Sequence, residues 1–428
     1  MTETKRVVVI GGGFAGLRVV RELRKAPVNI TLIDRQNYHL FQPLLYQVAT
    51  AGLAAPSISA PLRHILRKQR NVTVMLGDVL AIDPAARRVS LHDREIAYDY
   101  LVVASGVTHS YFGNDHWAPN APGLKTLHDA FLIRHRVLSA YERAEAATSD
   151  AERDACLTFA VIGAGPTGAE LAGTLAEIAR HTLAEDFRNI DTRKARILLL
   201  EAGPRVLSFF AEDLARNAHR KLERLGVDVR LGKPVTEIGA DYLVVDGERI
   251  ASRTILWAAG VAGSPLGKQL GVDLDRVGRV QVNPDLSVPT HPEIFVAGDL
   301  ARFEQDGNLV PGMAPAAKQM GARAAHNIVA RIDGRETEAF RFKDLGAMAT
   351  IGRHFAIAQL PGLRFSGLLA WLFWLGLHIY FLIGFRSRLV VIINWAWSYF
   401  TYARGARIIL GNDRARDPHG GKKETLKN

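Results

Sequence analysis

Two glycine-rich turns of the same spacing, each set between an apolar strand and a helix, predict an α/β chain. It consists of two Rossmann-like dinucleotide-binding domains and a C-terminal membrane-associating helical segment. Three observations carry this expectation. RVVVIGGGFAGL (6–17) and AVIGAGPTGAEL (160–171) both contain G-x-G-x-x-G. Each is followed by a second apolar strand that ends in an acid, Asp34 or Glu201. From residue 367 the chain becomes almost continuously apolar and aromatic.

Val7, Val8, Val9 and Ile10 form an unbroken apolar run, the pattern of a strand buried on both faces. Gly11 suits the tight turn, Gly13 lets backbone approach a pyrophosphate, and Gly16 allows the helix to pack closely on the strand, with Phe14 and Ala15 between them. One such turn is weak evidence. Asp34, followed by Arg35, strengthens it, because it lies near the spacing of about 20 residues expected for a ribose-binding carboxylate. Residues 35–53 are aromatic and interrupted by Pro43; they fit a segment lying against a bound ring system or a packed crossover. Residues 72–104 read as short antiparallel strands, the last of which breaks at Ser105 and Gly106. Residues 116–155 are polar and helical in pattern, with a solvated helix and connector over 142–154.

The second turn repeats the first through Gly163, Gly165 and Gly168. Glu201 lies farther along than usual, which requires an extended helix and loop at about 170–192. RTILWAAG, ending at Gly260, parallels YLVVASG, ending at Gly106. HPEIFVAGDLA then delivers Gly298 and Asp299 to the carboxyl edge of a sheet, where an acid suits a cofactor hydroxyl. The helix after residue 314 can aim its N-terminal amides at that cofactor. The expected domains are 1–115 with 285–340, then 156–284, then a membrane-attachment region at 341–428.

At 428 residues, 48% hydrophobic and 23% charged, the composition is globular. The single cysteine, Cys156, excludes an intramolecular disulfide, a cysteine zinc site and a redox-active cysteine pair. The 14 histidines show no helical pairing with carboxylates, so no metal is expected. A net charge of +11 suits anionic lipid or an acidic partner; no nucleic-acid partner is expected. MTETKR runs straight into the first strand, which reads as a cytosolic start without a leader, and residues 412–428 read as a frayed polar end.

The apolar run 367–385 is just long enough to span a bilayer, whereas 389–402 is too short to return. A hairpin through the membrane would strand Arg386 and Arg388 at its far turn. Asn394, Ser398 and Thr401 share one helix face among Trp395, Trp397, Tyr399, Phe400 and Tyr402, and Arg404 and Arg407 follow at headgroup height. Attachment in the membrane interface is the expected arrangement; a single transmembrane anchor and a soluble core or dimer helix are the alternatives. His378 reads as an interfacial or packed residue.

Taken with NYHLFQPLLYQVA, LLLEAGPRVL, ILWAAGV, IFVAGDLA and APAAKQMG, the chain resembles the glutathione-reductase-like flavoproteins with two dinucleotide domains. Among these it is most similar to the type II NADH:quinone oxidoreductases, over nearly all of residues 6–410. The resemblance implies electron transfer from NADH to a membrane quinone without proton pumping, on the cytoplasmic face of the inner membrane, and is compatible with a homodimer. It implies FAD at Gly11, Gly13, Phe14, Ala15, Gly16, Asp34, Arg35, Ser105, Gly106 and Asp299. NADH would lie at Gly163, Gly165, Gly168, Glu201 and Gly260, with Arg205 close in sequence to the discriminating acid. Glu170, Lys318 and Gln319 are the implied catalytic residues. Many relatives carry Ala-Gln where this chain reads Ala314–Pro315, which removes one polar contact expected at the quinone end. The competing readings are a soluble NADH-dependent ferredoxin or rubredoxin reductase and a non-catalytic flavoprotein that senses NADH. A sulfide:quinone reductase would need the cysteine pair that the chain lacks.

Overall fold

The computed structural model describes residues 4–401, with backbone only at 399 and 400, and residues 405–409. The positions expected for Arg404, Tyr402, the side chains of Tyr399 and Phe400, and the end 412–428 lie outside the described residues.

The chain opens with β1 (Lys5–Ile10), α1 (Phe14–Glu22) and β2 (Val28–Asp34). β1 is buried from Val7 onward, and β2 pairs with it in parallel from Lys5 against Val28 to Ile10 against Ile33. After the short helix α2 (Leu45–Ala49) come β3 (Val72–Leu76) and β4 (Tyr100–Val103). β3 corrects the sequence reading: it is a parallel strand at the sheet's edge beside β2, not part of an antiparallel set. Its alternation of covered and open side chains reflects an edge position. The antiparallel pattern is confined to Ala81–Asp83, Arg88–Ser90 and Glu95–Ala97.

α3 (Leu127–Ala146) begins on a capping box, in which Thr126 accepts from the Asp129 amide and Asp129 reaches back to the Thr126 amide. It buries Ile133, Val137 and Tyr141, so the polar stretch conceals a helix with one face in the core. β5 (Thr158–Ile162), α4 (Pro166–Glu177), β6 (Arg196–Glu201), β7 (Val227–Leu231) and β8 (Thr254–Trp257) repeat the opening plan. Their sheet, ordered β7-β6-β5-β8, is parallel throughout. The extension predicted after Glu170 is α4 and a π-helical turn at Ile178–Thr182.

The chain then returns to the first sheet through β9 (Ser287–Val288) and β10 (His291–Val296), completing the order β9-β10-β4-β1-β2-β3. Leu270, Val280 and Val282, ahead of this return, also pack in the core of the first sheet. α5 (Ala314–Ile332) lies on α1 so closely that a Cβ on Gly321 would sit 2.4 Å from the Ala15 carbonyl oxygen.

The C-terminal region begins as a three-stranded antiparallel sheet, β11 (Ala347–Thr350), β12 (Ala356–Leu360) and β13 (Leu363–Gly367), followed by α6 (Leu368–Phe381) and α7 (Phe385–Thr401). The apolar run 367–385 is therefore not one helix. It stops after Phe381 and turns at Gly384, whose φ is +89°. Among the described residues no helix is long and apolar enough to cross a membrane. Arg388 is not stranded: its guanidinium donates to the carbonyls of Leu382 (2.9 Å) and Tyr380 (2.8 Å), capping the end of α6, where cations are favoured. Trp374 and Ala370 are buried against the body. Leu369 (74% exposed), Phe385 (81%), Ile393 (56%) and Trp397 (65%) leave an open apolar face on the other side. The predicted polar stripe is turned inward at Ser398, whose carbonyl and hydroxyl accept from Arg353 at 2.6 and 3.1 Å. Arg407 pairs with Asp186 of the body.

Trp374 is the main plug holding α6 in place. Replacing it with alanine is expected to cost about 3–5 kcal/mol locally. Limited proteolysis should then cut near residues 361–368 while the two parallel sheets stay protected.

Candidate active site

The two glycine turns form the same structure twice. Gly11 donates its amide to Ile33 O at 2.8 Å, and Gly163 donates to Leu200 O at 2.7 Å. The Gly12 amide donates to Asp34 Oδ2 at 2.5 Å, and the Ala164 amide to Glu201 Oε2 at 2.7 Å. The second oxygen of each acid accepts another amide, Gln36 N at 2.7 Å and Gly203 N at 2.8 Å. Each acid thus ties its strand end to the turn. Burial raises the Asp34 carboxyl above its ordinary value, and the two amides oppose that rise.

Around the first turn Gly11, Gly13, Phe14, Ala15, Asp34, Arg35, Ser105, Gly106 and Asp299 line one cleft. Gly16 does not line it. A Cβ there would lie 1.9 Å from Gly11 O, so its role is to let α1 meet the strand; Gly168 repeats this at 1.8 Å from Gly163 O. The cleft fits a bound dinucleotide. Ser105 Oγ is buried with no hydrogen-bond partner among the described residues, and a Cβ on Gly13 would meet nothing within 4 Å. Sequence reasoning missed Lys125, which lines the cleft with Asp299. Burial raises the Asp299 carboxyl and Lys125 and Arg279 restrain it; burial lowers the Lys125 ammonium and Asp299 restrains that. A lone lysine ahead of a helix cap carries no local signal.

A second cavity of about 830 Å³ adjoins the cleft and shares Phe14, Gln42, Lys125, Asp299 and Ala317 with it. It reaches Pro166, Thr167, Glu170 and Val261 at the second turn, and Leu377, His378 and Phe381 on α6. In the aromatic stretch after Asp34, Phe41, Pro43, Leu45 and Tyr46 line this cavity, and Phe41, Leu45 and Tyr46 also pack in a core with α4 and Trp374, as a packed crossover does.

Glu170 borders the cavity and accepts a hydrogen bond from the Thr350 amide. Burial among apolar neighbours pushes its carboxyl up to about 8, against which that one amide acts weakly. A chain of hydrogen bonds joins this corner to the last helix. Trp395 Nε1 donates to Gln47 Oε1 at 2.8 Å, Gln47 Nε2 donates to the Tyr46 hydroxyl at 3.0 Å, and that hydroxyl lies 3.1 Å from Thr350 Oγ1. Lys318 Nζ lies 5.2 Å from the Phe14 ring and 4.7 Å from the Phe381 ring; burial and the nearby Arg18 and Arg21 lower its affinity for a proton. Gln319 also lines the cavity, but both ends of its amide are bonded to the Lys343 backbone, at 3.0 and 2.9 Å. Pro315 borders the same space without a polar group. Gly260, with φ +70°, lies three residues beyond the end of β8, beside Phe112.

Two linked cradles opening on one apolar cavity define a pyridine-nucleotide oxidoreductase that carries electrons between two binding sites. Residues 5–321 match the family model described as pyridine nucleotide-disulphide oxidoreductase, and residues 345–402 match the NDH2 C-terminal domain. The type II NADH:quinone oxidoreductase Ndh of Mycobacterium tuberculosis is 46% identical over 416 residues, covering 94% of this chain and 89% of its own. The type II NADH:quinone oxidoreductase NdhA of the same organism is 45% identical over 423 residues, with the same coverage of each chain. The solved structure of NDH2 from Plasmodium falciparum in complex with NADH superposes with a TM-score of 0.86 at 17% identity, covering 96% of this chain and all of that one. The chain belongs to the type II NADH:quinone oxidoreductases, membrane-associated flavoproteins that carry FAD.

Gly16→Ala forces a Cβ into the Gly11 carbonyl and should push α1 away from β1. The purified variant is expected to lose most of its flavin absorbance while the second cradle still binds a nicotinamide nucleotide, as read by calorimetry.

Proposed function

We propose that the chain passes electrons from NADH to quinone where the cleft and the cavity meet. The observation that carries this is the single apolar space bordered at one end by the second cradle and at the other by the tail helix α6. FAD, held by Gly11, Gly13, Phe14, Ala15, Asp34, Arg35, Ser105, Gly106 and Asp299, supplies a centre that accepts a hydride and gives electrons to a quinone. Gly16 shapes that cradle without touching its ligand.

Gly163 and Gly165 cradle the NADH pyrophosphate at the N-terminus of α4, where the helix dipole favours negative charge, and Gly168, like Gly16, shapes the cradle by letting the helix meet its strand. Glu201 holds the adenosine ribose. Its carboxylate leaves no place for a 2′-phosphate, which favours NADH over NADPH, and Arg205 is engaged with Ser208 O at 2.8 Å. Gly260 lets the chain leave β8 beside the nicotinamide. Glu170, protonated at neutral pH, donates a proton toward the quinone oxygen; Lys318 offsets negative charge as it develops there. Gln319 is a positioning residue that fixes residue 343 at the cavity rim rather than a quinone contact.

The tail attaches the enzyme to lipid. Leu369, Tyr380, Phe385, Ile393 and Trp397 face the acyl boundary, and the cavity opens to quinone from that side. We place the attachment on the cytoplasmic face, where the basic charge of the chain suits anionic lipid. The proposed division is an FAD unit built on the first sheet, an NADH unit built on the second, and a membrane-attachment region from residue 341.

Anaerobic mixing tests the reading. NADH should bleach the yellow enzyme, and a short-chain ubiquinone or menaquinone analogue should restore the colour. Reoxidation by ferredoxin alone would favour the soluble-reductase reading, and reoxidation by neither would favour a sensor. Because a carboxyl of pKa about 8 is an acid only below that value, quinone turnover should fall as pH rises through about 8. Glu170→Gln should lower kcat with quinone by about 100-fold and abolish that alkaline limb.

A further inference from the structure

We propose that His378 makes the quinone site discriminate in favour of the reduced product: its imidazole is locked as a hydrogen-bond acceptor in the cavity wall and binds a quinol hydroxyl. This rests on the quinone reading given above and goes beyond it to the selectivity of the site.

His378 Nδ1 lies 2.8 Å from the Trp374 carbonyl oxygen, one turn back on α6. A carbonyl only accepts, so the proton of the neutral ring sits on Nδ1 and Nε2 carries a lone pair. The tautomer cannot exchange without breaking that bond. The ring is also fixed in orientation. It stacks on Trp374 with centroids 4.1 Å apart and planes 27° apart, and meets Phe41 edge-to-face at 6.0 Å. Both flanking aromatics are buried, so the imidazole has little room to swing.

Nε2 has no hydrogen-bond partner among the described residues, although the residue lines the 830 Å³ cavity. Burial in apolar surroundings lowers the ring's affinity for a proton, to a pKa of about 4, and only the Trp374 carbonyl opposes this. At neutral pH the ring therefore does not gain a second proton that would turn Nε2 into a donor.

Other polar groups of the cavity have the opposite character: Lys318, Lys125 and Arg18 only donate, and the protonated carboxyl of Glu170 can donate as well, whereas the acceptors Asp299 and Gln42 lie at the end shared with the first cleft, away from α6. A quinone presents two carbonyl oxygens, which are acceptors. Donors on the cradle side satisfy one of them, and His378 offers the other only a lone pair. The hydride equivalent supplied by NADH (two electrons and one proton) and a second proton from Glu170 turn the two carbonyls into hydroxyls, and the hydroxyl facing α6 then acquires a partner. The site thus binds product more tightly than substrate by one hydrogen bond, and the ligand's own change of oxidation state makes that bond.

The test is steady-state kinetics of the full-length FAD enzyme in liposomes, under anaerobic conditions, with a short-chain quinone as substrate and its quinol as product inhibitor. His378→Leu removes the acceptor. It should raise the quinol inhibition constant about fivefold while the quinone KM moves by less than about twofold. His378→Gln brings both a donor and an acceptor; it should hold quinol near the wild-type constant and lower the quinone KM. Flavin content per chain establishes that each variant has folded, and if the leucine variant fails to retain FAD the glutamine variant carries the test alone. Parallel shifts in both constants, or no shift in either, would overturn the proposal. A wild-type enzyme that passes electrons to no quinone would instead overturn the reading of the cavity on which it rests.

Discussion

The fold depends on a close approach made twice. α1 and α4 begin so near their parent strands that a Cβ at Gly16 or Gly168 would fall within 2 Å of a backbone carbonyl. That contact can exist only with glycine, and it brings the first helical amides over the strand ends. In each copy the acid on the next strand then accepts an amide from the turn, Gly12 for Asp34 and Ala164 for Glu201. Both turns are thereby held by the chain's own hydrogen bonds, which lowers the ordering cost of binding a nucleotide at each.

The tail completes the cavity and, on the reading proposed above, attaches the chain to lipid. α6 contributes His378, Leu377 and Phe381 to the cavity, and α7 reaches the site through Trp395 and its bond to Gln47. The faces of these helices that meet the body are those that seal the cavity. The faces that meet nothing are apolar, from Leu369 to Trp397. On the reading proposed above, membrane attachment and enclosure of the acceptor site are two faces of the same pair of helices. A hydrophobic acceptor would then pass from lipid to the cavity without crossing water, which would preserve the shifted proton affinities of the desolvated Glu170 carboxyl and the buried Lys318 ammonium.

Much of this was legible in the sequence because the chemistry is local. Strand, turn, helix and terminal acid occupy a few dozen consecutive residues, so the cradles, Ser105 and Asp299 could be read directly. What escaped is held by long-range contacts. Tyr46 meets Thr350 across 304 residues, and Trp395 meets Gln47 across 348. Lys125 earns its place only through Asp299, far along the chain. The apolar run at 367–385 had the length of a span, and only the backbone at Gly384 shows that it turns. Gln319 lies where its motif implies, but its amide is already used by Lys343, which no motif records. The edge position of β3 depends on its neighbour β2, so its pattern alone could not separate parallel from antiparallel pairing.

The central claim is that quinone meets the flavin in the cavity beneath α6. A photoreactive short-chain quinone, irradiated with the membrane-bound enzyme and mapped by peptide mass spectrometry, tests it most directly. The account predicts labels on α6 around Leu377–Phe381 and at the start of α5 around Ala314–Lys318, both suppressed by excess unlabelled quinone. Suppressible labelling elsewhere, with these two segments unmarked, would contradict it.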